Sequence, residues 1–206
     1  YLGKMPFFSY PRIPGHELGV EVLAVGAGVE NVKQGDTCSV EPYINCGECF
    51  SCRRHRGNCC ENLTVLGVHV DGGLRPRFNV PARKLHPAKG LSFEQLALVE
   101  TLAIGCHAVD RASIQPDEFA LVVGTGPIGL SVLEFVRLTG CKFAALDVNA
   151  NRLAFCRDRM GIPETINATG GPEDIGAIKA AGAGNLPTVV IDATGHPRAM
   201  ERSLEF

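Results

Sequence analysis

Phe119-Ala-Leu-Val-Val-Gly-Thr-Gly-Pro-Ile-Gly129 decides the fold, because a short apolar run breaks directly into three spaced glycines. The run reads as a buried strand and the glycines as a phosphate-binding turn. Gly124 permits the tight turn, Gly126 lets a pyrophosphate approach the backbone, and Gly129 allows the next helix to pack closely on the sheet. Pro127 suits the first turn of that helix, where its missing N–H costs nothing. Ile128 to Leu138 is helix-length and rich in apolar residues, with Glu134 and Arg137 as polar interruptions, and Gly140 stands at the left-handed stop. Phe143 to Asp147 makes a second strand with an acid at its C-terminal end. Strand, glycine turn, helix, strand and acid form a βαβ unit of the dinucleotide-binding kind.

A carboxylate placed like Asp147 accepts hydrogen bonds from adenosine ribose hydroxyls and repels a 2′-phosphate, which favours NAD over NADP. Arg152 opposes that preference, since it can neutralise a phosphate or stay solvated. Ile128 and Thr194, the latter just after a later strand, complete the expected cofactor-binding set with Gly124, Gly126, Pro127, Gly129, Asp147 and Arg152.

The 206 residues suffice for one large domain or two modest ones, and 45% hydrophobic with 20% charged residues is a soluble globular composition. With a formal net charge of −2 there is no basic excess to attract nucleic acid or an anionic membrane surface. The uncharged apolar runs fall short of the ~20 residues a membrane span needs. The chain opens on Tyr1 with no charged leader and apolar core, so no signal peptide is visible.

Four of the nine cysteines form one cluster, Cys46, Cys49, Cys52 and Cys60, with two, two and seven residues between them. Four thiolates gathered by a glycine-containing loop suit tetrahedral zinc in a closed structural site. An iron–sulfur site would want its fourth cysteine after three intervening residues from Cys52, where Arg56 stands. Cys59 is adjacent to Cys60, but the spacing favours Cys60. Thiols kept for metal point to a reducing compartment, and a cytoplasmic location is expected.

Before the glycine turn, short strands with frequent turns argue for a compact β domain. Tyr1 to Pro14 reads as an irregular loop, with an aromatic rim over Tyr1 to Tyr10. Val20 to Val25 alternates as a strand, Cys38 to Pro42 is another, and Gly67 to Val80 reads as strand, turn and strand about Asp71-Gly72-Gly73. Leu91 to Ala112 is helical with Ser92 as N-cap. After Asp147, helices over Ala150 to Met160 and Glu173 to Ala180 alternate with strands at Thr165-Ile166 and Thr188 to Asp192. The fold class is α/β, with domains expected over residues 1–106 and 107–206.

Gly15-His16-Glu17 followed by Leu-Gly-Val-Glu-Val, the cysteine lobe, Glu100 to Ala108, and Gly124 to Gly129 with Asp147 occur in that order. In this the chain resembles the zinc-containing medium-chain alcohol dehydrogenases, particularly their polyol branch, which is similar to sorbitol dehydrogenase. The resemblance implies a GroES-like catalytic domain, here partial, joined to a Rossmann doubly wound parallel sheet, here incomplete, with a catalytic zinc in the cleft between them. It implies His16 as a zinc ligand, Glu17 as an outer or exchangeable ligand, and Glu100 as the carboxylate ligand of the polyol branch. It further implies a hydride passed from the carbon of a small alcohol or polyol to NAD, and a homodimer or homotetramer. The family usually has proline after the residue matching Glu100, and this chain has Thr101. The family's upstream cysteine ligand and proton-relay hydroxyl have no counterpart before His16, so the sequence reads as the interior of a longer enzyme. The alternative is a non-catalytic zinc-stabilised dinucleotide-binding module or an inactive fragment.

Overall fold

The computed structural model describes residues 9–206, so most of the expected aromatic rim lies outside the described residues. The chain divides into two compact units, with the boundary between Glu100 and Thr101.

The first unit is built from short antiparallel pieces. Strand β1 (Gly19–Glu21) pairs with β2 (Thr37–Val40), and β3 (Tyr43–Ile44) begins a small hairpin. A lobe carrying the one-turn helix α1 (Phe50–Arg53) leads from β3 to its partner β4 (Thr64–Val65). Strand β5 (Leu85–Pro87) then completes a three-stranded sheet in the order β1-β2-β5. Val22, Val32, Cys38, Val40, Leu66 and Leu85 form its buried core.

Two stretches differ from expectation here. The alternating run to Val25 stops being a strand after Glu21, because the chain it pairs with turns away at Gly35 and Asp36. The last contacts there are Val22 N–H to the Asp36 carbonyl and Gly35 N–H to the Val22 carbonyl. Leu23 and Val25 are left exposed. Gly67 to Val80 forms no hairpin. Its backbone instead turns to the segment before His16: the N–H groups of Gly72, Gly73 and Leu74 donate to the carbonyls of Ile13, Gly15 and Pro14. At its start an isolated bridge between Leu66 and Val70 is all that remains of a ladder there among the described residues.

Helix α2 (Phe93–Ala112) starts with a reciprocal capping box, in which Gln95 N–H donates to Ser92 Oγ and Ser92 N–H donates to Gln95 Oε1 at 2.9 Å. The second unit follows the expected alternation: β6 (Phe119–Val123), α3 (Pro127–Val136), β7 (Lys142–Asp147), α4 (Ala150–Met160), β8 (Thr165–Asn167), α5 (Glu173–Ala181), β9 (Val189–Asp192) and α6 (Pro197–Arg202). All four strands are parallel in the order β8-β7-β6-β9.

Strand β6 is buried along its whole length and its side chains alternate between two cores. Ala120 and Val122 pack with Val132, Leu133 and Val136 of α3 and Cys156 of α4. Phe119, Leu121 and Val123 pack with Ile166, Ile178 and Ala181 on the opposite face. A parallel sheet covered on both faces in this way is the doubly wound α/β arrangement. From β6 the chain winds outward through β7 and β8 on one side, while β9 arrives on the other. Such a reversal opens a crevice at the carboxyl ends of the strands. No helix among the described residues is long and apolar enough to cross a membrane.

Candidate functional site

His16 and Glu17 lie between the chain crossing just described and β1, and that neighbourhood is packed backbone on backbone. A Cβ on Gly72 would sit 2.3 Å from the Gly15 carbonyl oxygen and 2.6 Å from that of Pro14. Gly19 is equally close to α2: its Cβ would fall 2.1 Å from the Phe93 carbonyl oxygen and 3.0 Å from Leu96 Cβ. Glu100 lies four residues past Leu96, so the two share a helix face and the Gly-His-Glu segment is drawn against the helix that carries Glu100.

One ligand atom each from His16, Glu17 and Glu100 lies within 4.8 Å of the others. Glu100 is 7% exposed and accepts a hydrogen bond on Oε1 from the Tyr43 hydroxyl. Burial pushes the Tyr43 hydroxyl above the ordinary tyrosine range, followed by its bond to Glu100 and the charges of Glu100, Glu17 and Glu41. Tyr43 therefore stays a neutral donor in a site that concentrates negative charge. One imidazole and two carboxylates at this separation fit zinc, whose catalytic sites use three protein ligands and an open position. Sequence reasoning missed Tyr43 at this site. It sits 57 positions from Glu100, and no local pattern connects them.

The sulfurs of Cys46, Cys49, Cys52 and Cys60 also lie within 4.8 Å of one another. Cys60, not its neighbour Cys59, completes this group, and none of the nine cysteines is in a disulfide. Backbone N–H groups point at the sulfurs: Cys49 N–H to Cys46 Sγ at 3.4 Å, and Cys46 and Asn62 N–H to Cys60 Sγ, each at 3.3 Å. The N–H groups of Glu48 and Cys49 bring the Cys46 thiol down to about 6. A thiol held below its ordinary value, with the sulfurs of three more within 4.8 Å, fits a closed four-thiolate zinc site.

In the second unit β6 ends at Gly124, whose φ of 90° turns the chain, and Gly126 caps α3 with Pro127 in its first turn. A Cβ on Gly129 would lie 1.8 Å from the Gly124 carbonyl oxygen, so that glycine closes helix on strand. A Cβ on Gly126 would meet nothing within 4 Å, so the backbone there faces open space. That space belongs to a cavity of about 620 Å³ lined by Gly124, Gly126, Pro127, Asp147, Arg152 and Thr194, among others. Ile128 and Gly129 lie outside its lining.

Asp147 is 5% exposed, and its carboxylate takes Thr125 N–H and hydroxyl on Oδ2 and Asn149 N–H on Oδ1. Burial alone would raise this carboxyl. The Thr125 and Asn149 hydrogen bonds and the charge of Arg152, 3.9 Å away, outweigh it and hold Asp147 below its ordinary value. An open glycine turn at a helix N-terminus, with an ionised acid on the next strand, fits the pyrophosphate and ribose of a dinucleotide.

Taken together, a doubly wound α/β unit, a β-rich first unit and two donor sets that could each hold a metal are the arrangement to compare with known proteins. The family model for the alcohol dehydrogenase GroES-like domain matches residues 1–90, and that for zinc-binding dehydrogenase matches residues 127–206. L-galactonate-5-dehydrogenase of Escherichia coli K12 is 39% identical over 205 residues, covering 99% of this chain and 59% of that protein. D-altritol 5-dehydrogenase of Agrobacterium fabrum is 36% identical over 166 residues, 78% of this chain and 49% of that protein. Among solved structures, the short chain alcohol dehydrogenase RspB of Escherichia coli CFT073, complexed with NADH, superposes with a TM-score of 0.86 at 30% identity, over 96% of this chain and 58% of that one. The chain thus spans about three-fifths of the length of the first relatives it matches. It belongs to the zinc-containing medium-chain alcohol dehydrogenase family.

Proposed function

We propose that the protein oxidises a secondary alcohol of an open-chain polyol, or of the corresponding sugar acid, with NAD as hydride acceptor. The observation that carries this reading is the convergence of His16, Glu17 and Glu100 within 4.8 Å. A purely structural or sensory module has no use for a second, open donor set beside the cysteine lobe. Zinc in that set supplies a Lewis acid for the alcohol oxygen, and the nicotinamide supplies the hydride acceptor. His16, Glu17 and Glu100 hold the metal, and Tyr43 keeps Glu100 oriented through Oε1. The cysteine lobe is a structural zinc site. Gly124, Gly126, Pro127, Arg152 and Thr194 receive the cofactor, with Ile128 and Gly129 shaping the turn behind them. Asp147 takes the adenosine ribose and disfavours a 2′-phosphate.

The polyol class is supported by the names of the relatives, which act on galactonate and altritol. Assembly as a homodimer or homotetramer and a reducing, cytoplasmic setting belong to the same proposal, the latter supported by the free thiols. The test is NADH formation by the whole protein with a panel of hexitols, pentitols and aldonic acids, before and after chelation of metal and after zinc is restored. Turnover that survives complete demetallation rules out the zinc role, and a zinc-loaded protein inert to the whole panel rules out the substrate class.

A further inference from the structure

The dinucleotide fingerprint prescribes its glycines and leaves the residue between the first two free. This chain places Thr125 there and buries it to 2% exposure. A buried hydroxyl needs a partner. Thr125 finds it on Asp147: its hydroxyl donates to Oδ2 at 2.7 Å and its own N–H donates to the same oxygen at 2.6 Å. One residue thus grips one carboxylate oxygen with a two-pronged fork. Asn149 N–H occupies the other oxygen once, at 2.8 Å, and Asp147 lines the cavity. The oxygen with capacity to spare is Oδ1. Arg152 stands at the edge with its side chain 56% exposed, 3.9 Å from Oδ2, close enough to attract the acid and free to turn elsewhere.

We infer that Thr125 is a positioning residue that sets cofactor choice, by locking the Asp147 carboxylate so that Oδ1 is presented to the adenosine ribose and the negative charge cannot rotate away from an incoming 2′-phosphate. This rests on the NAD reading proposed above. The carboxylate torsion of an aspartate is broad, so an unforked acid can turn. Backbone N–H groups hold each oxygen once, Thr125 on Oδ2 and Asn149 on Oδ1; the hydroxyl adds a second donor on Oδ2, making it the firmly held oxygen and leaving Oδ1 as the one to be shared with the ribose. Without it the acid yields to a 2′-phosphate and Arg152 becomes available as that phosphate's partner. Selectivity, rather than fold, is what the hydroxyl serves.

The experiment is a titration of NADH and NADPH into the whole protein, followed by nicotinamide fluorescence, for wild type, Thr125→Val, Thr125→Ala and Thr125→Ser. Loss of the hydroxyl is expected to weaken NADH by about tenfold, the scale of one hydrogen bond to a charged group, with NADPH unchanged or improved. The NADH-to-NADPH affinity ratio then falls about tenfold in Thr125→Val and Thr125→Ala and stays near wild type in Thr125→Ser. In an Asp147→Ala background, Thr125→Val leaves the ratio where Asp147→Ala alone puts it. Equal losses for both cofactors, a ratio that does not move, or a serine variant that behaves like valine overturns the inference and leaves the dehydrogenase reading standing. A wild-type protein that binds neither cofactor overturns both. Where Thr125→Val does not fold, the alanine and serine pair carries the same comparison.

Discussion

Gly72→Ala tests whether the segment around Gly72 seats His16, the proposed zinc ligand. The added Cβ would lie 2.3 Å from the Gly15 carbonyl oxygen and 2.6 Å from that of Pro14, whereas ordinary contact begins near 3.4 Å. Both neighbours are backbone, so relief requires a main-chain shift on the order of 1 Å in the residues immediately before His16. Overpacking of this kind costs about 1–3 kcal/mol. A misplacement of about 1 Å at a catalytic group costs about a hundredfold in rate. The whole protein carrying Gly72→Ala is therefore expected to lose about a hundredfold in kcat/KM on a responsive polyol and part of its second zinc equivalent. Its NADH affinity should be unchanged, since that cradle lies in the other unit. Gly26→Ala is the control, because a Cβ there meets nothing within 4 Å. Zinc by atomic absorption, steady-state kinetics and NADH fluorescence read the three quantities. A Gly72→Ala protein with two zincs and wild-type turnover refutes the idea that this crossing positions His16.

The remaining predictions separate the roles of the other groups. Cys49→Ser should remove one zinc equivalent and lower the melting temperature, because a closed thiolate site stabilises its fold directly, while His16→Ala should melt normally and bind NADH yet lose turnover; calorimetry with metal analysis distinguishes them. Tyr43→Phe removes the donor on Glu100 Oε1 and is expected to weaken zinc in the His16 set by about 10- to 100-fold, measured by competition with a chelator, with the cysteine-bound zinc untouched. Asp174 is 1% exposed; burial alone would raise its carboxyl, but the Thr169 N–H and the Arg202 guanidinium at 2.7 Å hold it below the usual range. As pH falls, the unfolded chain therefore takes up this proton first, so the stabilisation is complete above about pH 4 and drains away below it. Asp174→Asn should be less stable at pH 7 and show a shallower loss in acid denaturation.

The second unit was legible almost residue by residue because its signals are local. Strand β6 is a run of apolar residues, α3 begins at a proline, the 3₁₀ turn that follows it (Arg137–Thr139) is stopped by Gly140, and α4 lies between Asn149 and Gly161. The first unit was harder, since its short strands depend on where the partner chain happens to be. Nothing in Val22 to Val25 says that Gly35 and Asp36 end the pairing. Nothing in Gly67 to Val80 says that its N–H groups serve Ile13 to Gly15. The cysteine lobe was readable from spacing alone, because four thiols so close in sequence have few other uses. His16, Glu17 and Glu100 stand far apart in sequence and came into view only through resemblance to a family. Tyr43 and Thr125 were invisible for a related reason: a hydroxyl acquires a role only when folding brings it to a particular carboxylate.

The lobe between β3 and β4 has a consequence for the protein's lifetime. Apart from two very short strands, the turn of α1 and a 3₁₀ turn over Gly57–Cys59, its thiols are what gather it, and Arg53, Arg54 and Arg56 lie exposed within it. Metal binding closes that loop, and its loss frees the segment to open locally ahead of the core. Exposed, mobile basic segments are where trypsin-like proteases cut first. Zinc scarcity should therefore be registered as cleavage in this one loop before any general unfolding, making the abundance of the protein a record of the metal supply around it.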